Sequence, residues 1–92
     1  MRKIEQQMVS AILNRKSWQS DNTAVTIRND SSMSVFLHGN HIADIDCPTG
    51  FVLVNKDTLR RWSTPTTKSR LRALGANVAT RKGVTYLNNE AI

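Results

Sequence analysis

The sequence predicts an α+β fold for this 92-residue chain, in which an N-terminal helix packs on an antiparallel sheet and a second helix precedes a C-terminal hairpin. Three observations predict it. Apolar residues recur at helical spacing near the N-terminus, short β-branched runs separated by turn residues fill the middle, and a second capped helix begins near residue 65. A chain of this length buries only about 60–65% of its unfolded surface, which supports one core. We therefore expect a single domain over residues 1–92 with the element order α-β-β-β-β-α-β-β.

The first helix is predicted over residues 2–16. Its apolar residues recur at spacings of three and four and so form one stripe: Ile4, Met8, Val9, Ile12 and Leu13. Trp18 follows directly after the helix. We expect the stripe and Trp18 to pack on the sheet, although a helix that binds a partner can show the same pattern.

The middle of the chain predicts three strands in succession. The first, residues 24–28, is rich in β-branched side chains. The next two flank Gly39 and Asn40, and glycine in the first loop position suits a hairpin with a two-residue type II′ loop. In that register His38 faces His41 across the end of the hairpin.

Residues 51–54 form a fourth strand in this prediction. Their sequence, FVLV, is apolar throughout, which is typical of a central strand that is buried on both sides. The following residues 55–62 are ambiguous, because their sequence is compatible with a turn and a short strand or with a helical turn. Here the sequence leaves the choice open.

The second helix is predicted over residues 65–74. Thr64 suits the N-cap, Pro65 suits the first helical position because its missing N–H would have no partner there, and Gly75 suits the C-terminal end. We expect three residues of this helix to face the core: Thr67, Leu71 and Leu74. A final hairpin follows over residues 77–88.

Basic residues are concentrated in one part of the chain. The net charge is +6, and residues 56–82 contain eight Lys or Arg residues against the single acid Asp57. Such segregation is typical of a surface that meets phosphate or an acidic partner. We predict that this surface comprises Arg60, Arg61, Trp62, Lys68, Ser69, Arg70, Arg72, Arg81 and Lys82.

The second helix and the final hairpin are predicted to present these groups together. Lys68 and Arg72 lie four residues apart, which places both on the outer face of the helix, and its first-turn N–H groups also favour an anion. Trp62 suits either stacking on an unpaired base or covering the core. A basic helix followed by a basic hairpin is similar to the recognition helix and wing of small DNA-binding domains, although strands stand here in place of the preceding helix.

Three interpretations of the basic segment remain open at this point. It binds nucleic acid, it binds an acidic protein, or it is a solvated surface that keeps a small protein soluble. Removal of the cations distinguishes the first two: phosphate binding would weaken uniformly across sequences, whereas a protein interface would centre on one or two residues. The residues to remove are Arg70, Arg72, Arg81 and Lys82.

No spacing in the sequence is typical of a catalytic or cofactor site, so we expect a protein that is not an enzyme and holds no cofactor. The best candidates for metal ligands lie around the predicted hairpin: His38, His41, Asp44, Asp46 and Cys47. Cys47 would lie about 20 Å from His41 along an extended strand, so no three-ligand site is completed and we expect no metal. As the only cysteine, Cys47 can form no internal disulfide, which fits a reducing compartment.

Two further patterns bear on location. No segment is free of charges over the roughly eighteen residues that a membrane span needs. The N-terminus has Arg2 and Lys3 but no continuous apolar segment with a small-residue cleavage site after them, unlike a secretory signal. We therefore expect a cytoplasmic protein without a membrane partner.

Three sequence blocks resemble a known group of proteins. They are WQSDNT, LHGNHIA and TTKSRL, and they are followed by the ending GVTYL. Short proteins encoded by bacteriophages and prophages carry similar blocks in the same order. The resemblance, which covers residues 18–87, implies a phage origin but brings no established activity or catalytic residues. It makes the bacterial cytoplasm the expected location, and an acidic protein of the bacterial host the alternative partner to nucleic acid. Relatives tend to have Gly-Trp where this chain has Arg61-Trp62.

Overall fold

The computed structural model describes residues 1–92, which form three helices and eight strands. In chain order these are α1 (Lys3–Leu13), β1 (Trp18–Ser20), β2 (Thr23–Asn29), β3 (Ser32–Leu37), β4 (Asn40–Asp46), β5 (Phe51–Val54), α2 (Lys56–Arg61), α3 (Pro65–Ala73), β6 (Val78–Arg81), β7 (Val84–Leu87) and β8 (Glu90–Ala91). The α+β class is confirmed. Three short elements, β1, α2 and β8, are added to the predicted order. None of the helices is long and apolar enough to cross a membrane.

The first five strands form one antiparallel sheet in the order β1-β2-β3-β4-β5. Successive side chains of a strand point to opposite faces, and on one face they meet the helices in a common core. Each helix contributes one fully buried residue to that core: Met8 from α1, Leu59 from α2 and Leu71 from α3. Val35 and Leu37 of β3 are buried against them. The sheet and all three helices therefore share one core.

Helix α1 packs on the sheet as predicted, but not with its whole apolar stripe. Met8 is fully buried, whereas Leu13, the last residue of the helix, is 77% exposed. Trp18 in β1 packs against the core, which confirms its expected position. The helix also buries Glu5, one turn before Met8, where apolar spacing alone predicts no charged residue.

The hairpin between β3 and β4 has a different register from the predicted one. Its two loop residues are His38 and Gly39, both with positive φ angles of 51° and 77°. Two positive φ angles are the signature of a type I′ loop, which twists the strands correctly. The predicted type II′ loop at Gly39 and Asn40 is therefore wrong, and His41 pairs with Phe36 instead of His38.

Strand β5 is an edge strand, so the prediction of a central strand buried on both sides is wrong. After Val54 the chain enters α2, and the next strand, β6, belongs to another sheet, so β5 pairs with β4 alone. Its inner residues Val52 and Val54 pack on the core. Its outer residues Phe51 and Leu53 are 64% and 61% exposed.

The C-terminal half begins with α2, so residues 55–62 adopt the helical alternative. Helix α3 begins and ends as predicted: the Thr64 side chain accepts a hydrogen bond from the Thr67 N–H, Pro65 is the first helical residue, and Gly75 follows with a φ of 104°. The predicted inward residues of α3 are buried or partly buried. Strands β6, β7 and β8 then form a second, three-stranded antiparallel sheet.

Candidate nucleic-acid interface

The nine predicted binding residues fall on different elements and do not form one surface. Arg60 and Arg61 end α2, and Trp62 is its C-cap. Three of the others lie on α3 and turn inward, namely Lys68, Ser69 and Arg70. The remaining three are Arg72, Arg81 and Lys82, which are exposed on α3 and at the end of β6. Exposure therefore separates the predicted set into groups with different roles.

Arg70 is buried, contrary to the expected binding surface. Only 3% of the residue is exposed, and its Nη1 donates a hydrogen bond to the Glu5 Oε2 at 2.8 Å. The hydroxyl of Ser69 donates to the same carboxylate oxygen. Burial alone would raise the pKa of the Glu5 carboxyl, but the hydrogen bonds from Ser69 and Arg70 outweigh it, and the pKa lies below its ordinary value.

The other guanidinium nitrogens of Arg70 are also engaged. Nε donates to the Thr23 hydroxyl at 3.0 Å, and Nη2 donates to the Asn22 side-chain oxygen at 3.4 Å. These contacts join α3 to α1 and to the start of β2, across a sequence separation of 47 to 65 residues. Arg70 therefore holds the fold together and is unavailable to a ligand.

Lys68 is also inside, with 8% of the residue exposed. Its Nζ donates a hydrogen bond to the hydroxyl of Thr80 in β6. The prediction that Lys68 and Arg72 share the outer face of the helix is therefore wrong for Lys68, because the second sheet packs against that side of α3. A helix with this lysine turned inward lacks the basic face that a recognition helix would insert into a groove.

The first turn of α3 is likewise less open to an anion than the sequence suggests. The N–H of Thr67 already donates to the Thr64 hydroxyl oxygen at 3.2 Å. The Thr64 and Thr67 hydroxyls are also 2.9 Å apart, within hydrogen-bonding distance. One of the N–H groups that would favour phosphate therefore has a partner within the protein.

The exposed cations lie along β6. This strand is at the edge of the second sheet, and the Arg72 Nε donates to the Val78 carbonyl oxygen at 2.7 Å. The Arg81 guanidinium lies over the ring of Tyr86 in β7, 5.2 Å from its centre. Lys82 follows in the turn and is exposed. The small sheet therefore carries cations at one edge and at the tip of its hairpin.

The outer face of the second sheet adds an aromatic residue that sequence reasoning missed. Strand pairing places Ala79 opposite Tyr86 and Arg81 opposite Val84, so these four side chains share a face. On the other face Val78 and Leu87 pack into the core. The available signal was the period-two pattern of β7, which puts Tyr86 on the face opposite to its buried neighbours. On this face the Arg81 guanidinium lies over the Tyr86 ring.

The α2 group is partly committed to contacts within the protein. Arg60 pairs with Asp57 at 3.1 Å, and Arg61 Nε donates to the Asp57 carbonyl oxygen at 3.4 Å. The Trp62 ring packs against the core and meets the His38 ring edge-on, with their centres 5.6 Å apart. Trp62 is half-buried and covers part of the core, which is one of its two predicted roles, and its stacking on a base stays a prediction.

The two histidines do not form the pair that the predicted register would create. His38 contacts Trp62, whereas His41 Nε2 lies 2.8 Å from the Asp44 Oδ1. Burial alone would raise the pKa of Asp44, but hydrogen bonds from Ser34 and His41 outweigh it and lower the pKa below its ordinary value. No group of three or more His, Cys, Asp or Glu residues comes together to hold a metal ion.

Comparison with known proteins gives one match. A family model described as the Kyanoviridae Gp96 protein matches residues 1–92, which include every helix and strand described above. No curated protein and no solved structure matches the chain. The role of the exposed cations is therefore argued from the geometry of this chain.

Proposed function

Since the chain belongs to the Kyanoviridae Gp96 protein family and is thus a small phage protein, we propose that it binds single-stranded nucleic acid through its second sheet. The observation that carries the proposal is the Arg81 guanidinium lying 5.2 Å from the centre of the Tyr86 ring, beside the exposed Lys82. Single-strand binding proteins combine aromatic rings with cations, because bases stack and phosphates are neutralised. Here a base would stack on the Arg81 and Tyr86 pair, since the guanidinium lies over the ring. The protein would act without catalysis, in the cytoplasm of the bacterial host.

The inward position of Lys68 and Arg70 favours a single strand over a duplex as the ligand. With these side chains engaged in the protein, α3 offers Arg72 as its exposed cation. Three phosphate contacts, from Arg72, Arg81 and Lys82, would give a log–log salt slope of about −2 for a single strand. This slope is shallower than a basic segment with eight cations would give if all of them were available.

Fluorescence anisotropy of labelled single-stranded DNA, single-stranded RNA and duplex DNA tests the proposal, at salt concentrations from about 50 to 200 mM. We expect the single strands to bind more tightly than the duplex. The double substitution Arg81→Ala and Lys82→Ala should weaken binding at least tenfold, and Tyr86→Leu should weaken it about 5- to 100-fold through lost stacking. No binding at the lowest salt concentration would overturn the proposal.

A matched control is available on the same chain. Lys56 is an exposed cation at the start of α2 that belongs to none of the four ion pairs. It borders the same groove as Leu87, which lies at the end of the β6–β7 hairpin opposite the Lys82 turn. Lys56→Ala removes the same charge as Lys82→Ala and should leave binding nearly unchanged. If Lys56→Ala weakened binding as much as Lys82→Ala, the interaction would be a response to net charge and would not require the second sheet.

A second function, binding to a protein of the bacterial host, is favoured by the exposed side of β5. Phe51 and Leu53 point outward from this edge strand, and a groove of about 450 Å³ runs beside it, bordered by residues 74–77. An extended peptide can add a strand to such an edge and place its side chains in the groove. The test is whether the chain captures a host protein. Loss of that capture in the Leu53→Arg variant, together with its retention in the Arg81→Ala variant, would support this function over nucleic-acid binding.

A further inference from the structure

A β-bulge in β4 gives the large sheet a polar cluster on its outer face. His41 pairs with Phe36 and Asp44 pairs with Ser34, so β4 has two residues between these pairs where β3 has one. Both intervening residues of β4 are buried. In a regular strand, residues three positions apart point to opposite faces, but here the extra residue brings His41 and Asp44 to the same face.

Asn55, the N-cap of α2, lies beside this bulge. Its backbone N–H donates to the Ile42 carbonyl oxygen at 2.8 Å, which anchors the residue to β4. Its side-chain Oδ1 accepts a hydrogen bond from the Thr58 N–H at 3.2 Å and so caps the helix. The side-chain Nδ2 then faces His41, 3.4 Å from the ring Nδ1. One residue therefore joins the bulge, the helix and the histidine.

The cap decides which nitrogen of neutral His41 carries the proton. An amide NH2 group can only donate, so the ring Nδ1 that faces Asn55 has to accept. The proton of the neutral ring therefore lies on Nε2, which donates to the Asp44 Oδ1 at 2.8 Å. The Asn55 amide cannot turn over without taking its oxygen away from Thr58. The neutral ring and the cap thus support one another.

The charges around His41 favour its protonated form, whereas the amide opposes it. Asp44, on the same strand, forms the one ion pair of the ring. The guanidinium of Arg28 in β2 contacts the other oxygen of this carboxylate at 3.3 Å and so shares it. Helix α2 begins with Lys56 and Asp57, and neither forms an ion pair with His41. The contacts from β3 come from uncharged side chains. Protonation therefore conflicts with the amide and with no other contact.

Protonation of His41 acts on the cap through this conflict. Both nitrogens of the protonated ring are donors, so Nδ1–H would point at another donor, the Asn55 NH2 group. The amide resolves the conflict by turning over, which gives its oxygen to the ring and takes it from the Thr58 N–H. The first turn of α2 then has no side-chain cap. Leu59 is 1% exposed in the core, so the rest of the helix stays in place.

We propose that His41 is a pH-sensitive switch on the N-cap of α2: the neutral ring keeps Asn55 in its capping position, and the protonated ring withdraws it. Histidine side chains ordinarily change charge between about pH 5 and 8. Lys56, the first residue of α2, borders the groove beside β5, so the switch acts on one wall of that groove. It goes beyond both proposed functions, because it is a property of the chain without a ligand.

NMR spectra of the 15N-labelled chain from about pH 8 to about pH 5 test the proposal. We expect the neutral His41 ring to carry its proton on Nε2. The amide resonance of Thr58 should shift with the same midpoint as the His41 ring. Protection of the Thr58 N–H against hydrogen exchange, corrected for the intrinsic rate at each pH, should fall about fivefold, as expected for loss of a side-chain cap.

Thr67 is a matched control within the same spectra. It occupies the corresponding position of α3, and its N–H donates to the N-cap Thr64 at the same distance of 3.2 Å. This cap bonds to no histidine. Protection of the Thr67 N–H should therefore stay constant over the pH range in which that of Thr58 falls.

Three variants locate the coupling. His41→Gln removes the titrating ring and should abolish the response of Thr58. His38→Asn removes the other histidine, at a position with a positive φ that asparagine tolerates, and should leave the response intact. Asn55→Asp keeps a capping oxygen and removes the NH2 donor. Its two oxygens can accept from the Thr58 N–H and the protonated ring together, so protection of Thr58 should stay constant.

The contrary outcomes are equally specific. A neutral His41 ring with its proton on Nδ1 would overturn the proposal. A Thr58 resonance that does not follow the His41 titration would overturn it as well, because solvent would then accept the Nδ1 proton and leave the cap in place. A response of Thr58 that persists in the Asn55→Asp variant would show that it does not pass through the amide, with the same consequence.

Discussion

Helix α3 and the hairpin of β6 and β7 are both rich in cations, yet they use them in opposite ways. On α3, Arg70 and Lys68 turn inward and bond to Glu5 and Thr80. On the hairpin, Arg81 lies over the Tyr86 ring and is exposed to solvent. A cluster of basic residues in a sequence therefore does not define a basic surface. What decides the role of each cation is whether the fold brings it an acceptor.

The two regions should differ most in the loss of stability that the same substitution, arginine to methionine, causes in each. Arg70→Met leaves the carboxylate of Glu5 buried without its cation, which should lower the free energy of unfolding by about 3–5 kcal/mol. Arg81→Met removes only an exposed contact with Tyr86 and should cost about 0.5–1 kcal/mol. Urea denaturation of both variants measures the difference.

The double variant Glu5→Leu with Arg70→Met separates loss of packing from an uncompensated charge. Replacing both members of a buried ion pair by apolar residues is often neutral, so the double variant should recover most of the stability that Arg70→Met loses. A double variant as unstable as the single one would show that the hydrogen bonds of Arg70 to Asn22 and Thr23 are the larger contribution.

The same ion pair makes stability depend on acid. The pKa of Glu5 is lower in the folded protein than its ordinary value. The Glu5 carboxylate therefore contributes fully to the free energy of unfolding above its ordinary pKa, and this contribution is lost as the pH falls through the folded pKa. We therefore expect the free energy of unfolding to fall as the pH drops below about 4.3, the ordinary pKa of a glutamate. Asp44, whose pKa is also lowered, should add to the same decline.

Glu5→Gln tests how much of the acid dependence belongs to this carboxylate. The variant should be less stable than the parent at neutral pH, and its stability should decline less on acidification, since it has no carboxyl group to protonate there. Urea denaturation at neutral pH and at about pH 3.5 provides the comparison. An unchanged decline would assign the acid dependence to Asp44 and to the remaining acids.

The sequence predicted those features that depend on neighbouring residues. The N-cap at Thr64, the first-turn Pro65 and the end of α3 at Gly75 all follow from local backbone chemistry, and the structure confirms each. The burial of Arg70 depends on Glu5, which is 65 residues away, and no local pattern indicates that the two meet. The sequence therefore could not predict which cations of the candidate site are buried, because their burial depends on partners that are distant in the sequence.

The errors in the sheet have a similar origin. Phe51–Val54 is apolar enough for a central strand, but whether another strand pairs beside it depends on where the chain goes next. The hairpin register depended on whether His38 adopts a positive φ, which most residues other than glycine avoid. The composition of these segments indicates that they form strands. Which strand lies at the edge of the sheet, and which residues pair, depends on the topology of the whole chain.

The two lysines should change stability much less than Arg70 does, and they sharpen the comparison because binding and stability should respond in opposite ways. Lys68→Met keeps most of the buried side chain but loses the hydrogen bond to Thr80, which should cost about 1 kcal/mol. Lys82→Met should change stability by less than about 0.5 kcal/mol, as surface substitutions usually do. In the anisotropy experiment the order reverses: Lys82→Met should weaken the binding of single strands, and Lys68→Met should leave it unchanged. The contrary outcome is that Lys68→Met weakens binding as much as Lys82→Met does, without loss of stability. In that case the ammonium group of Lys68 would have to leave Thr80 to reach the ligand. Helix α3 would then have the binding role that its sequence suggests.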